Sequence, residues 1–92
     1  MKVIKRDGRT IEFDREKIEV AIEKANKEVR GKEKANKQEI DEIIEYIEEL
    51  GKKRMLVEDI QDVIEEKLME FDKYELAKKY IVYRYTRALV RK

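Results

Sequence analysis

Two adjacent cations, Lys5 and Arg6, stand immediately before Asp7-Gly8 in the opening run MKVIKRDGRTIEF, and a third, Lys17, follows twelve residues after Lys5. Arg84 and Arg87 add basic side chains near the other end of the chain. Several Lys and Arg groups converging on one point make an anion site, and a triphosphate, with its multiple negative charges, is a ligand that needs several, Arg supplying bidentate contacts. A helix N-terminus adds backbone N–H donors to such a site. Lys17 draws attention for a second reason. It falls in the first turn of a helix, where the dipole favours Asp or Glu over a cation by roughly 0.3 kcal/mol or more. The competing explanation is that all these cations are ordinary solvated surface charge, which is the usual place of Lys and Arg.

Other chemistries find little support. The 92 residues contain no histidine and no cysteine, which excludes imidazole acid–base catalysis, thiol nucleophiles, disulfides and Cys/His zinc sites. Serine is absent too, and Thr10 and Thr86 have no neighbouring base. Carboxylate pairs such as Glu48-Glu49 read as solvated helix faces, and no Gly-rich loop ends in Lys-Ser/Thr, so neither an acid–base dyad nor a P-loop is present and no catalytic residue is expected. With 23 Lys plus Arg against 22 Asp plus Glu, the net charge of +1 generates no long-range field for nucleic acid or an anionic membrane. The hairpin mixes Asp7 and Glu12 among its cations and shows no aromatic pair for stacking bases, which argues against a nucleic-acid role. No long apolar run follows Met1, so the chain is expected to be soluble and cytoplasmic, without a membrane segment. At 49% charged and without proline, it has the Lys/Glu-rich balance of thermophile or idealised proteins.

The elements that must position these cations follow from periodicity. Asp7-Gly8 between two β-branched runs predicts a two-residue type I′ hairpin, which pairs Arg6 with Arg9, Lys5 with Thr10, Ile4 with Ile11 and Val3 with Glu12. Ile4, Ile11 and Phe13 then form the core face, and Val3, Lys5, Thr10 and Glu12 a mixed opposite face. Asp14 is the expected N-cap of a first helix over REKIEVAIEKANKEV, with Ile18, Ala21, Ile22, Ala25 and Val29 on its stripe. RGKEKANKQ reads as a loop. A second helix spans Gln38 to Leu50, ended by Gly51. KKRMLV is long enough for a short third strand. Ile60, Val63, Ile64, Leu68 and Phe71 mark a third helix from Glu58, and Leu76, Ala77, Tyr80, Ile81, Ala88 and Leu89 a fourth from Tyr74 to about Val90. The fold class is therefore α+β: a small three-stranded sheet, made of the N-terminal hairpin plus one strand near 53–57, capping a four-helix bundle in one domain over 1–92.

VIKRDGRTIEFDREKI, LVEDIQDVI and YELAKKYIVYRYTRALV, in that order, strongly resemble the ATP-cone domain, the nucleotide-binding regulatory module of many ribonucleotide reductases, with a flavour closest to the anaerobic ribonucleoside-triphosphate enzymes. The resemblance implies ATP or dATP, with Mg, bound beneath the sheet. By position, Val3 would line the adenine pocket; Lys5, Arg6 and Lys17 would meet the phosphates; and Asp14 would stand where the family commonly has a polar nucleotide contact. Val57 and Gln61 would border the base, and Arg87 would reach the phosphates from the last helix. Val57 departs from the Thr or Ser common there, which removes a hydroxyl and, by this alignment, a helix cap. The resemblance further implies an allosteric module without catalysis, partnered by catalytic or sister chains of a reductase or by copies of itself. The alternative is a stable scaffold or protein-interaction domain of the same fold that no longer binds nucleotide.

Overall fold

A computed structural model describes the backbone of residues 1–90 and the side chains of residues 1–86. The chain runs β1 (Lys2–Ile4), β2 (Thr10–Glu12), α1 (Arg15–Asn26), a 3-10 turn at Gly31–Glu33, α2 (Lys37–Glu49), β3 (Arg54–Leu56), α3 (Val57–Glu70) and α4 (Tyr74–Val90). This is the expected α+β arrangement of a three-stranded sheet with four helices.

The hairpin differs from expectation by one residue. Lys5 N–H donates to the Arg9 carbonyl at 2.8 Å and Gly8 N–H to the Lys5 carbonyl at 2.9 Å, so the loop holds three residues, Arg6, Asp7 and Gly8. Only Gly8, at φ +87°, is left-handed there. This is a type I turn closed by a left-handed residue, in place of a type I′ turn that would force positive φ on Asp7 as well. Asp7 is instead held by its own side chain, whose two carboxylate oxygens accept from Arg9 N–H at 3.0 Å and Arg9 Nε at 2.7 Å. The register becomes Lys2 with Glu12, Val3 with Ile11 and Ile4 with Thr10. Because a one-residue slip reverses which face pairs with which, Val3 joins Ile11 on the core side at 6% exposure, while Ile4 turns outward with Thr10. β3 pairs in parallel with β1, placing Met55 beside Val3, and the sheet order is β2-β1-β3.

The helices start and stop for local reasons. The Asp14 carboxylate accepts from Glu16 N–H at 3.0 Å, capping α1 as expected. α1 ends at Asn26, short of Val29, where the backbone tightens into bonds from Glu28 N–H to the Ala25 carbonyl at 3.0 Å and from Val29 N–H to the Asn26 carbonyl at 3.2 Å; the Asn26 side chain clamps Ala35, donating to its carbonyl and accepting from its N–H at 2.9 Å each. Val29 is nonetheless buried. α2 opens on a capping box in which Asn36 and Glu39 each bond the other's backbone N–H. α3 begins directly as β3 ends: its cap position is Leu56, without a side-chain cap, and Val57 is its first helical residue. A hydroxyl at 57 would therefore not have been the cap that the alignment suggests. At the far end, Asp72 sits at φ 61°, with Asp72 N–H bonded to the Met69 carbonyl and Lys73 N–H to that of Leu68. That paired geometry turns the chain sharply into α4.

α1 packs on α2 and α4, and α3 on the same two, closing a four-membered ring of helices. Ile22, Ile43, Ile44, Ile47, Ile64, Leu68 and Leu76 are fully buried at its centre, each contributing roughly 1.5–3 kcal/mol by burial. On α4 the inward stripe runs from Leu76 and Ala77 through Tyr80 to Arg84, which leaves Ile81 outside at 41% exposure, contrary to its expected core place. Arg84 ties α4 to α3 through Glu65 at 2.6 Å and Asp62 at 3.3 Å. Burial holds the Glu65 carboxyl above its ordinary value despite that cation, and burial pushes the Tyr80 hydroxyl well above its own. The expected core positions Ala88 and Leu89 lie outside the residues whose side chains are described.

Candidate functional site

Parallel pairing of β1 with β3 gathers most of the expected site at one end of the sheet. Ile4 lies beside Leu56, so the residues that follow, Lys5 and Val57, leave the sheet at the same end. Val3 is on the core face, and Lys5, two residues on and half-buried, is the next position of that face. Val3 and Lys5 thus share a face as expected, but it is the face that carries Ile11 and Met55. Arg6, exposed at the turn, reaches the first turn of α3, with its Nε 3.3 Å from Glu58 Oε1.

Val57 is half-buried against the core, and Gln61 stands one turn along α3 on the same face. The Gln61 Oε1 atom is buried and has no hydrogen-bond partner among the described residues. A buried acceptor left in that state costs about 1–3 kcal/mol relative to one that is satisfied.

Asp14 and Lys17 approach from elsewhere. β2 runs antiparallel to β1, and Phe13 N–H donates to the Met1 carbonyl at 2.9 Å, so α1 begins at the opposite end of β1 from Lys5. Those ends are four residue steps apart, from Met1 to Lys5, or about 13 Å. The Asp14 carboxylate is occupied in capping α1, and Lys17 is exposed in the first turn. The Arg87 side chain lies outside the described residues.

The charge around the turn is organised. Asp7 is held below its ordinary carboxyl value by the backbone N–H and guanidinium of Arg9, and Glu12 by hydrogen bonding to Lys2. The hairpin carries four cations, Lys2, Lys5, Arg6 and Arg9, against the carboxylates of Asp7, engaged by Arg9, and Glu12, engaged by Lys2. Two hollows of about 260 Å³ open elsewhere, one between α1 and α2 beside Glu19 and Glu23, the other between α2 and α3 beside Glu42, Glu45 and Glu49. Neither includes an expected site residue, and in each the carboxylates outnumber the one lysine, Lys37 in the first and Lys67 in the second, which disfavours a phosphate. The Arg6–Glu58 pair is the contact that the sequence does not reveal, because it depends on the β1–β3 pairing between segments about fifty residues apart.

The model of the ATP-cone domain matches residues 1–89. The chain belongs to the ATP-cone family. It is 38% identical over 96 residues to the vitamin B12-dependent ribonucleoside-diphosphate reductase of Thermoplasma acidophilum, covering 98% of this chain and 12% of that protein. It is 35% identical over 98 residues to the ribonucleoside-diphosphate reductase subunit alpha of Chlamydia pneumoniae, covering 97% and 9%. A vitamin B12-dependent ribonucleoside-diphosphate reductase of Mycobacterium tuberculosis is 36% identical over 90 residues, covering 98% and 13%. The chain thus spans about a tenth of the length of these relatives. ATP-cones are nucleotide-binding regulatory modules, and as a family they bind ATP or dATP. With 1–89 assigned to the cone, this chain holds the regulatory module and not the catalytic part of a reductase. Among the described residues no helix is long and apolar enough to cross a membrane.

Proposed function

We propose that this ATP-cone, acting as one domain over its 92 residues, binds ATP or dATP where the hairpin meets α3 and reports occupancy by changing how it packs on reductase chains or on copies of itself. The observation that carries the reading is the family match over residues 1–89. The buried Gln61 oxygen, without a donor among the described residues, fits it, because the exocyclic amino group of adenine is a donor of that kind. Val3 and Val57 supply apolar flanks for a ring, Lys5 and Arg6 meet phosphates from the turn, and Lys17 extends toward them from the first turn of α1, about 13 Å away at the other end of β1. Arg87 completes the set from α4, and Asp14 contacts the nucleotide while capping α1. Mg²⁺ is carried by the phosphates, where it screens their charge. Regulation then follows from differential contact: a nucleotide shifts an assembly only as far as it binds one packing state better than the other. A cytoplasmic place of action belongs to the same proposal.

The second reading, a scaffold of this fold without nucleotide binding, is favoured by the packing of the sheet's underside, where Val3 and Met55 are each only 6% exposed. A melting scan with MgATP, MgdATP and MgGTP separates the two. A binder gains RT ln(1 + [L]/Kd), about 2.7 kcal/mol at a hundredfold excess over Kd. An unshifted transition with both adenine nucleotides at millimolar concentration leaves the scaffold standing.

A further inference from the structure

We infer that Glu58 is a built-in competitor for the phosphate-binding Arg6, setting how tightly this ATP-cone holds a triphosphate; the inference rests on the nucleotide reading above. Arg6 Nε lies 3.3 Å from Glu58 Oε1, so without ligand the guanidinium faces a carboxylate of α3. The nearer carboxylate in sequence, Asp7, is engaged by Arg9. Glu58 is the second residue of α3, where the positive end of the helix dipole favours its ionised form. Arg6 therefore has two anionic partners available, one permanent and one that arrives with the nucleotide.

Exchange between them is feasible because both side chains are about half exposed. A single-contact pair of that kind is weakly held, and a bidentate phosphate contact displaces it. The apparent affinity is then the intrinsic affinity scaled by the fraction of molecules in which Arg6 has left Glu58. Glu58→Gln removes the competing charge while keeping the side chain's size, and Asp59 remains in the first turn to complement the dipole, so the helix start is preserved.

The test is calorimetric titration of MgATP into the full 92-residue chain as wild type, Glu58→Gln, Arg6→Ala and the double variant, each checked for wild-type helical signal. Glu58→Gln is expected to tighten binding by roughly two- to fivefold. In the Arg6→Ala background the same change is expected to alter affinity by less than about 1.5-fold, since the cycle isolates what passes between the two residues. Equal tightening with and without Arg6 would show plain repulsion of phosphate by Glu58 and overturn the competition; so would unchanged or weaker binding by Glu58→Gln. Binding by wild type without coupling removes only this inference, whereas no binding by any of the four chains removes the nucleotide reading and the inference together.

Discussion

Lys17 and Gln61 each sit at odds with the stability of the element that carries them. Lys17 places a cation at the positive end of α1, and Gln61 on α3 buries an oxygen that has no donor among the described residues. A triphosphate at the first and an adenine amino group at the second would relieve both. Lys17→Ala and Lys5→Ala are accordingly expected to weaken MgATP binding more than tenfold while leaving the helical circular dichroism unchanged; equal affinity in wild type and both variants would remove these residues from the site. Asp72 illustrates strain of a different kind, since its φ of 61° is a conformation that costs a residue with a Cβ. Asp72→Gly keeps the backbone bonds that close α3 and should raise stability by about 0.5–1 kcal/mol in urea titration. The weak hydrogen bond from Tyr74 Oη to Asp72, at 3.3 Å and exposed, subtracts little from that gain.

At the scale of elements, the hairpin holds the site's register through two residues of its turn. Gly8, at φ +87°, has nothing within 4 Å of where a Cβ would stand, so Gly8→Ala loses stability by backbone strain alone. The expected loss is about 1–2 kcal/mol, read by urea titration. Asp7 contributes through ionisation. Its carboxyl is held below the ordinary value in the folded chain, so its contribution is present above that value and fades as pH falls through the lower folded one. A carbon-13 titration of the Asp7 carboxyl should accordingly give a midpoint below that of an unstructured Asp; a midpoint at or above it would mean that the turn is not fastened through Arg9. Val3 and Ile11 face the core only in this three-residue-loop register, and a turn that relaxed toward two residues would turn Val3 outward.

For the molecule as a whole, the ring of four helices carries the stability and the small sheet rides at one end of it. Ile64, 1% exposed between its neighbours, should cost about 2–5 kcal/mol as Ile64→Ala. Ile81, which shares the apolar character of the stripe without its burial, should cost no more than about 0.5 kcal/mol as Ile81→Ala. Urea midpoints of the two variants compare core with surface directly; similar losses would place Ile81 in a buried contact. Lys5, Lys17 and Glu58 all lie outside the buried core, so variants at these positions are expected to change nucleotide binding without unfolding the chain.

Sequence alone determined whatever depends on neighbours a few residues away. The spacing of Ile40, Ile43, Ile44 and Ile47 specifies the buried stripe of α2, Asp14 its place as the cap of α1, and Gly51 the end of α2, because helical periodicity and capping act within one or two turns. The cations of the proposed site were legible by type and position for a similar reason, since charge and spacing are written in the chain. Tertiary structure decided what depends on contacts between distant segments or on small energy differences. The turn at Asp7-Gly8 lay between two loop lengths, and the Asp7–Arg9 bonds together with the parallel partner β3 selected the one that buries Val3. That same pairing brought Glu58 against Arg6, and tertiary packing enclosed the Gln61 oxygen without a donor among the described residues, neither of which follows from any local pattern.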